Sequence, residues 1–141
     1  MTIAAILRIK GGEVASLPAS ARVAEAVALL AARRIGAVPV LHGDAVAGIF
    51  SERDLVYSLA GDGAGVLDRP LSDVMTSPVE SVAPDHAVIA ALSLMTRRRI
   101  RHLPVVDGGR MVGFVSIGDL VKYRIDRIEA EAQSMRDYIR Q

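Results

Sequence analysis

Apolar positions along the chain change period several times, and each change marks an expected element. Val23, Ala26, Val27 and Leu30 recur at helical spacing, as do Val88, Ala91, Leu92 and Met95. Each set puts apolar groups on one face and predicts a helix packed on a core. Ser20 and Asp85 stand near the two helix starts and are expected to cap them. A short strand is predicted before each helix, Glu13–Leu17 and Val79–Val82. After each helix comes an apolar run with a proline in it, Ala37–Leu41 and His102–Val106. The polar turns His42-Gly43-Asp44 and Asp107-Gly108-Gly109 then lead into Val46–Phe50 and Met111–Val115, which reads as hairpin chemistry. SERDLVYSLA and SIGDLVKYRI open a second helix in each half. The predicted order is β-α-β-β-α, twice.

The two halves are copies. Shifting the chain by 65 residues lays segment 14–56 over 79–121 without a gap, and 15 of the 41 positions from Ser16/Ser81 to Val56/Val121 are identical. The divisions that follow are an N-terminal segment 1–12, a first repeat 13–60, a linker 61–74, a second repeat 75–125 and a helical extension 126–141. Gly61, Gly63, Gly65 and Pro70 mark the linker as a loop. One unit of this size buries only a thin core, so the two are expected to pack together. The fold class is α/β (α+β), two βαββα repeats about a pseudo-twofold axis plus a C-terminal helix.

Composition narrows the function. Hydrophobic residues make up 51% and aromatics only 4%, so Val, Leu, Ile and Ala must build the core. A net charge of +1 gives no field that argues for nucleic acid or a membrane surface. The chain has no Cys, which removes disulfides and thiolate metal sites. MTIAAILRIKGG does not read as a signal peptide, and no apolar stretch is long enough for a membrane span, so a cytoplasmic location is expected.

The sharpest shared motif is Gly-x-x-Ser-x-x-Asp at a strand-to-helix junction: Gly48, Ser51, Asp54 and Gly113, Ser116, Asp119. The free N–H groups of a helix start attract phosphate. A hydroxyl there can bond phosphate or ribose, and a carboxylate one turn on can accept from a ribose diol. The same residues also spell a capping box, and the two roles are compatible. His42, His86 and His102 show no metal-ligand spacing. Nothing pairs a nucleophile with a base, so no catalytic residue and no enzyme activity are expected.

With GIFSERDLV, LSDVMT and RHLPVVDGGRMVGFVSIGDLVK in place, the chain resembles the cystathionine-β-synthase (CBS) domain pair, or Bateman module, over roughly residues 10–125. The resemblance implies two clefts between the repeats that bind AMP, ADP or ATP, or alternatively NAD(H) or S-adenosylmethionine, with no cofactor required. It implies that Asp54 and Asp119 hold ribose, with Ser51 and Ser116 beside it. Ala37, Val38 and Pro39, with His102, Leu103 and Pro104, would border the adenine. Val14 and Ser16, with Val79 and Ser81, would read its edge through the backbone. Arg53, Arg101 and His102 are candidates for the phosphate side, and Ile117 and Gly118 complete the second junction, Gly118 leaving room where the first copy has Arg53. Arg97 and Arg98 read as a solvated helix end. Because Gly36-Ala37 stands opposite Arg101-His102 in the alignment, the clefts should differ in charge. A ligand-free interaction scaffold is the alternative function.

Beyond the second repeat, Val121, Ile125, Ile128, Ala132, Met135 and Ile139 are spaced as a heptad seam among charged residues. Either the helix lies on its own domain or it meets its symmetry mate. The resemblance favours a homodimer, whose output passes to a separate downstream protein.

Overall fold

The computed structural model describes residues 1–140; Gln141, the last residue of the expected extension, lies outside the described residues. The elements run α1 (Ile3–Lys10), β1 (Leu17–Pro18), α2 (Val23–Arg33), β2 (Ala37–His42), β3 (Ala45–Ser51) and α3 (Glu52–Asp62), then α4 (Val88–Arg98), β4 (His102–Asp107), β5 (Arg110–Ser116) and α5 (Ile117–Arg140). The first sheet has the order β1-β2-β3, with β1 parallel to β2 and β2 antiparallel to β3. In the second half β4 and β5 form the equivalent hairpin, and Val82 makes a single parallel bridge to Val105 where β1 would lie. Both hairpins shift register at the same place, between Val40 and Leu41 and between Val105 and Val106.

The leading strands are shorter than the sequence suggests. β1 keeps only Leu17 and Pro18, and its last rung to β2 is Ala19 N–H donating to Leu41 O at 3.1 Å. Pro84 stands two residues beyond the Val82 bridge. The residues before each bridge run past the sheet without pairing into it.

Each repeat has its own core, and each core borrows a segment that precedes the other repeat. The first is built from Val23, Ala26, Leu30, Val38, Val40 and Phe50, and closed by Leu71 from between the repeats. The second is built from Val82, Val88, Ala91, Met95, Leu103, Val105, Val115 and Leu120, and closed by Ile3 and Ile6 of α1. The sequence did not foretell α1, whose apolar run is only two turns long. The linker is a strap rather than an open loop: 3₁₀ turns at Gly63–Asp68 and Leu71–Asp73 carry the fully buried Val66 and Leu71.

The straps also explain the helix starts. Ser20 and Asp85 do not cap α2 and α4; the residues before those helices are Arg22 and Ala87. The first amide of α2, Val23 N–H, donates to Arg69 O at 2.9 Å, and that of α4, Val88 N–H, to Met1 O at 3.2 Å. Strap carbonyls thus satisfy orphan amides that a side chain would otherwise take. Two glycines record how closely the straps approach. A Cβ on Gly48 would lie 2.7 Å from Met75 Sδ and from Thr76 O, and one on Gly113 would lie 2.5 Å from a Leu7 methyl.

Candidate functional site

The Ser/Asp junctions fold as capping boxes at the starts of α3 and α5. Ser51 N–H donates to Asp54 Oδ2 at 2.9 Å, and Asp54 N–H donates to Ser51 Oγ at 3.3 Å. In the second copy, Ser116 N–H donates to Asp119 Oδ2 at 2.9 Å, and Asp119 N–H donates to Ser116 Oγ at 3.1 Å. This reciprocal pattern holds each carboxylate at a helix N-terminus, where the macrodipole favours negative charge.

Each carboxylate also receives a group from the strap next to it, and here the two copies differ. Thr76 Oγ1 donates to Asp54 Oδ1 at 2.9 Å. Lys10 Nζ donates to Asp119 Oδ2 at 2.7 Å and to Phe114 O at 2.7 Å. Burial pushes the Asp119 carboxyl up, but the Lys10 ammonium and the Ser116 amide together hold it below the usual carboxylate value.

Two cavities open at these junctions. The larger, about 800 Å³, has Ser51, Arg53, Asp54 and Tyr57 on one side, Thr76, Val79 and Glu80 along the strap, and Arg98, Arg99, Ile100, Arg101 and His102 from the second repeat. The smaller, about 500 Å³, has Ser116, Asp119 and Phe114 facing Arg33, Arg34, Ile35, Gly36 and Ala37 of the first repeat, with Lys10, Glu13, Val14 and Ala15 along its rim. Both volumes fall in the range of roughly 300–1,000 Å³ typical of small-molecule sites. Among the described residues, Val14 and Val79 have no backbone hydrogen-bond partner, so their peptide groups are free to meet a ligand.

His102 and Gly36 border both cavities. The His102 ring stacks on Phe114 at 5.5 Å and 11°. Burial, then the nearby Lys10, lowers its pKa against the opposing pull of Asp119, so it is neutral near pH 7.

Of the residues singled out in the sequence, the larger cavity gathers Ser51, Arg53, Asp54, Val79, Arg101 and His102. The smaller gathers Val14, Ala37, Ser116 and Asp119, and His102 again. Ser16, Val38, Pro39, Ser81, Leu103, Pro104, Ile117 and Gly118 line neither. Val38 and Leu103 are fully buried core side chains, and Ile117 packs against the second core. Arg98 is more than a solvated helix end, since it lines the larger cavity and meets Glu80 at 3.4 Å.

Several cavity residues were missed: Lys10, Thr76, Tyr57, Glu80 and the arginine pairs Arg33-Arg34 and Arg98-Arg99. The pairs were visible as identities in the repeat alignment. Lys10 and Thr76 were not, because they precede the aligned segments. Arg34 and Arg99 end α2 and α4 in the left-handed region, at φ 52° and 55°. Beta-carbon-bearing residues adopt that region at a cost, and glycine is the usual occupant.

The CBS domain pattern matches residues 10–61 and 71–126. The chain belongs to the CBS domain family. It is 38% identical to the CBS-domain protein ATU1752 of Agrobacterium tumefaciens, with a TM-score of 0.83 covering 88% of this chain and 99% of that one. The CBS domain protein PAE2072 of Pyrobaculum aerophilum, whose structure is complexed with AMP, is 31% identical with a TM-score of 0.74, covering 84% and 89%. The mitochondrial CBS domain-containing protein CBSX3 of Arabidopsis thaliana is 34% identical over 120 residues, and the chain spans 58% of its length. The CBS pair carries no helix long and apolar enough to cross a membrane among the described residues.

Proposed function

We propose that this CBS pair is a regulatory module that binds an adenosine nucleotide, AMP, ADP or ATP, in the clefts between its repeats, and is not an enzyme. The observation that carries the reading is the larger cavity. There the Asp54 carboxylate, fixed at the start of α3, faces arginines 98, 99 and 101 delivered by the other repeat. A ribose diol has an acceptor in Asp54, and a phosphate has cations across the cleft. The free peptide groups of Val79 suit the edge of a base, and Ile100 and Tyr57 supply apolar and aromatic wall. The AMP-bound archaeal relative supports the same ligand class.

The smaller cavity is the weaker site. Its acid is already paired with Lys10, so a ribose there has to displace an ammonium, whereas at Asp54 it displaces a threonine hydroxyl. A ligand touching both repeats stabilises one packing of the pair over others, and that differential affinity is the signal passed to a downstream protein.

The test is a thermal-shift panel of AMP, ADP, ATP, NAD(H) and S-adenosylmethionine on the full chain. The expected outcome is a rise in Tm with at least one of AMP, ADP and ATP that exceeds the response to the other two ligand types. A larger response to NAD(H) or S-adenosylmethionine moves the assignment to that ligand. No response to any of the five contradicts the reading and favours the scaffold alternative.

A further inference from the structure

Lys10 stands in the last turn of α1, where a cation suits the helix dipole. Its backbone is held from the helix side. Ile3 and Ile6 anchor α1 in the second core, and Leu7 lies against Gly113 of β5. Gly11, at φ 93°, then turns the chain out of the helix, and Glu13, Val14 and Ala15 run on along the smaller cleft. The Lys10 ammonium is thereby delivered into the lining of that cleft, where it donates to Phe114 O and to Asp119 Oδ2, both at 2.7 Å. The Lys10 side chain is 38% exposed and that of Asp119 29%, so water screens this pair only in part.

A ribose diol that bonds Asp119 competes with this ammonium, and the outcome depends on the rest of the ligand. An uncharged nucleoside gives the ammonium nothing in return for the carboxylate it loses. A phosphorylated nucleoside gives it a phosphate. An ammonium has three N–H donors on a flexible four-carbon stem, and among the described residues two of them are engaged. Lys10 can therefore keep Phe114 O while its other donors turn from Asp119 to the phosphate. Arg33 and Arg34 line the same cleft and add to the field that a phosphate meets. The larger cleft sets no such condition. There the strap gives Asp54 the Thr76 hydroxyl, which is uncharged and both donates and accepts, so it can stay bonded beside a ribose hydroxyl.

From this we infer that Lys10 sets the specificity of the smaller cleft, admitting phosphorylated nucleosides and refusing uncharged ones. The inference rests on the reading of the clefts as adenosine-nucleotide sites, and adds a rule of selection that belongs to one cleft alone. The residue that imposes it comes from outside the two repeats, on the strap that precedes the first.

The test is calorimetric titration of adenosine and of AMP into the full chain, wild-type and Lys10→Met. Methionine keeps most of the stem and removes the ammonium, and Lys10 belongs to neither core, so the fold is retained. The smaller cleft is the equivalent of ligand that Asp119→Asn removes. The wild-type chain is expected to take AMP in both clefts and adenosine in the larger one only. In Lys10→Met the smaller cleft should take adenosine as well, and its preference for AMP over adenosine should fall about tenfold, the worth of a hydrogen bond to a charged group. Lys10 and Lys122 are the only lysines in the chain, so nuclear magnetic resonance of labelled lysine side chains reads Lys10 directly, with Lys10→Met as the assignment. AMP should shift the Lys10 signals and adenosine should not. Adenosine that fills both wild-type clefts would overturn the inference, as would an unchanged preference in Lys10→Met or Lys10 signals that respond alike to the two ligands. AMP binding confined to the larger cleft would overturn this inference alone, whereas AMP that binds neither chain would overturn the nucleotide reading with it.

Discussion

At the scale of single residues, the two Ser/Asp junctions do two things at once. Each carboxylate closes a capping box, and each faces a cavity. Replacing Asp54 by Ala removes both roles, whereas Asp54→Asn keeps an acceptor for the Ser51 amide and removes the charge. The arginines that end α2 and α4 show the opposite balance between stability and function. Arg99 holds a left-handed conformation that suits glycine, and its side chain lines the larger cavity. Arg99→Gly is expected to raise unfolding stability by up to about 1 kcal/mol through relief of the left-handed strain. It should also weaken binding of a phosphorylated ligand. Chemical denaturation and a nucleotide titration on the same variant read the two effects separately. If stability falls and binding is unchanged, Arg99 has neither role. The Arg33-Arg34 and Arg98-Arg99 identities were plain in the sequence, but their left-handed backbone was not, because nothing local to arginine demands it.

At the scale of elements, the repeat unit was legible almost throughout. Helical spacing located α2 and α4, and the Gly turns located both hairpins, because one-sided burial and positive φ leave direct marks in the sequence. The straps left no such mark. α1 and residues 66–76 are short, and their apolar groups pack on cores built by residues distant in the chain, Ile3 and Ile6 on Val82–Leu120 and Leu71 on Ala21–Phe50, so no local period points to them. The helix starts differed for the same reason: carbonyls from the straps do what Ser20 and Asp85 were expected to do. Lys10 and Thr76 reached the carboxylates only because the straps carry them there. The strap contacts make a graded prediction. Gly48→Ala would drive a methyl into the Thr76 carbonyl, whereas Gly113→Ala meets only the flexible end of Leu7. Gly48→Ala is expected to cost about 1–3 kcal/mol, and Gly113→Ala distinctly less, as read from urea midpoints. Equal losses would show that the strap at residues 75–76 yields as easily as a side chain.

At the scale of the whole molecule, the exchange of straps makes each cleft a joint product of both repeats. The larger cleft takes its carboxylate from the first repeat and its arginines from the second; the smaller takes Asp119 from the second and Arg33-Arg34 from the first. The sequence pointed to two unequal clefts from Gly36-Ala37 against Arg101-His102. A larger difference lies in what the straps deliver, a neutral hydroxyl to Asp54 and an ammonium to Asp119. The most direct measurement of this account is a calorimetric titration of AMP into the wild-type chain, Asp54→Asn, Asp54→Ala and Asp119→Ala. Losing a charge-assisted hydrogen bond to ribose costs about 1.5–3 kcal/mol, tenfold or more in affinity. The account predicts that loss of the tighter binding in both Asp54 variants, with Asp119→Ala retaining it. AMP binding of wild-type strength in the Asp54 variants, or its loss in Asp119→Ala alone, would contradict the assignment of the larger cleft as the principal site.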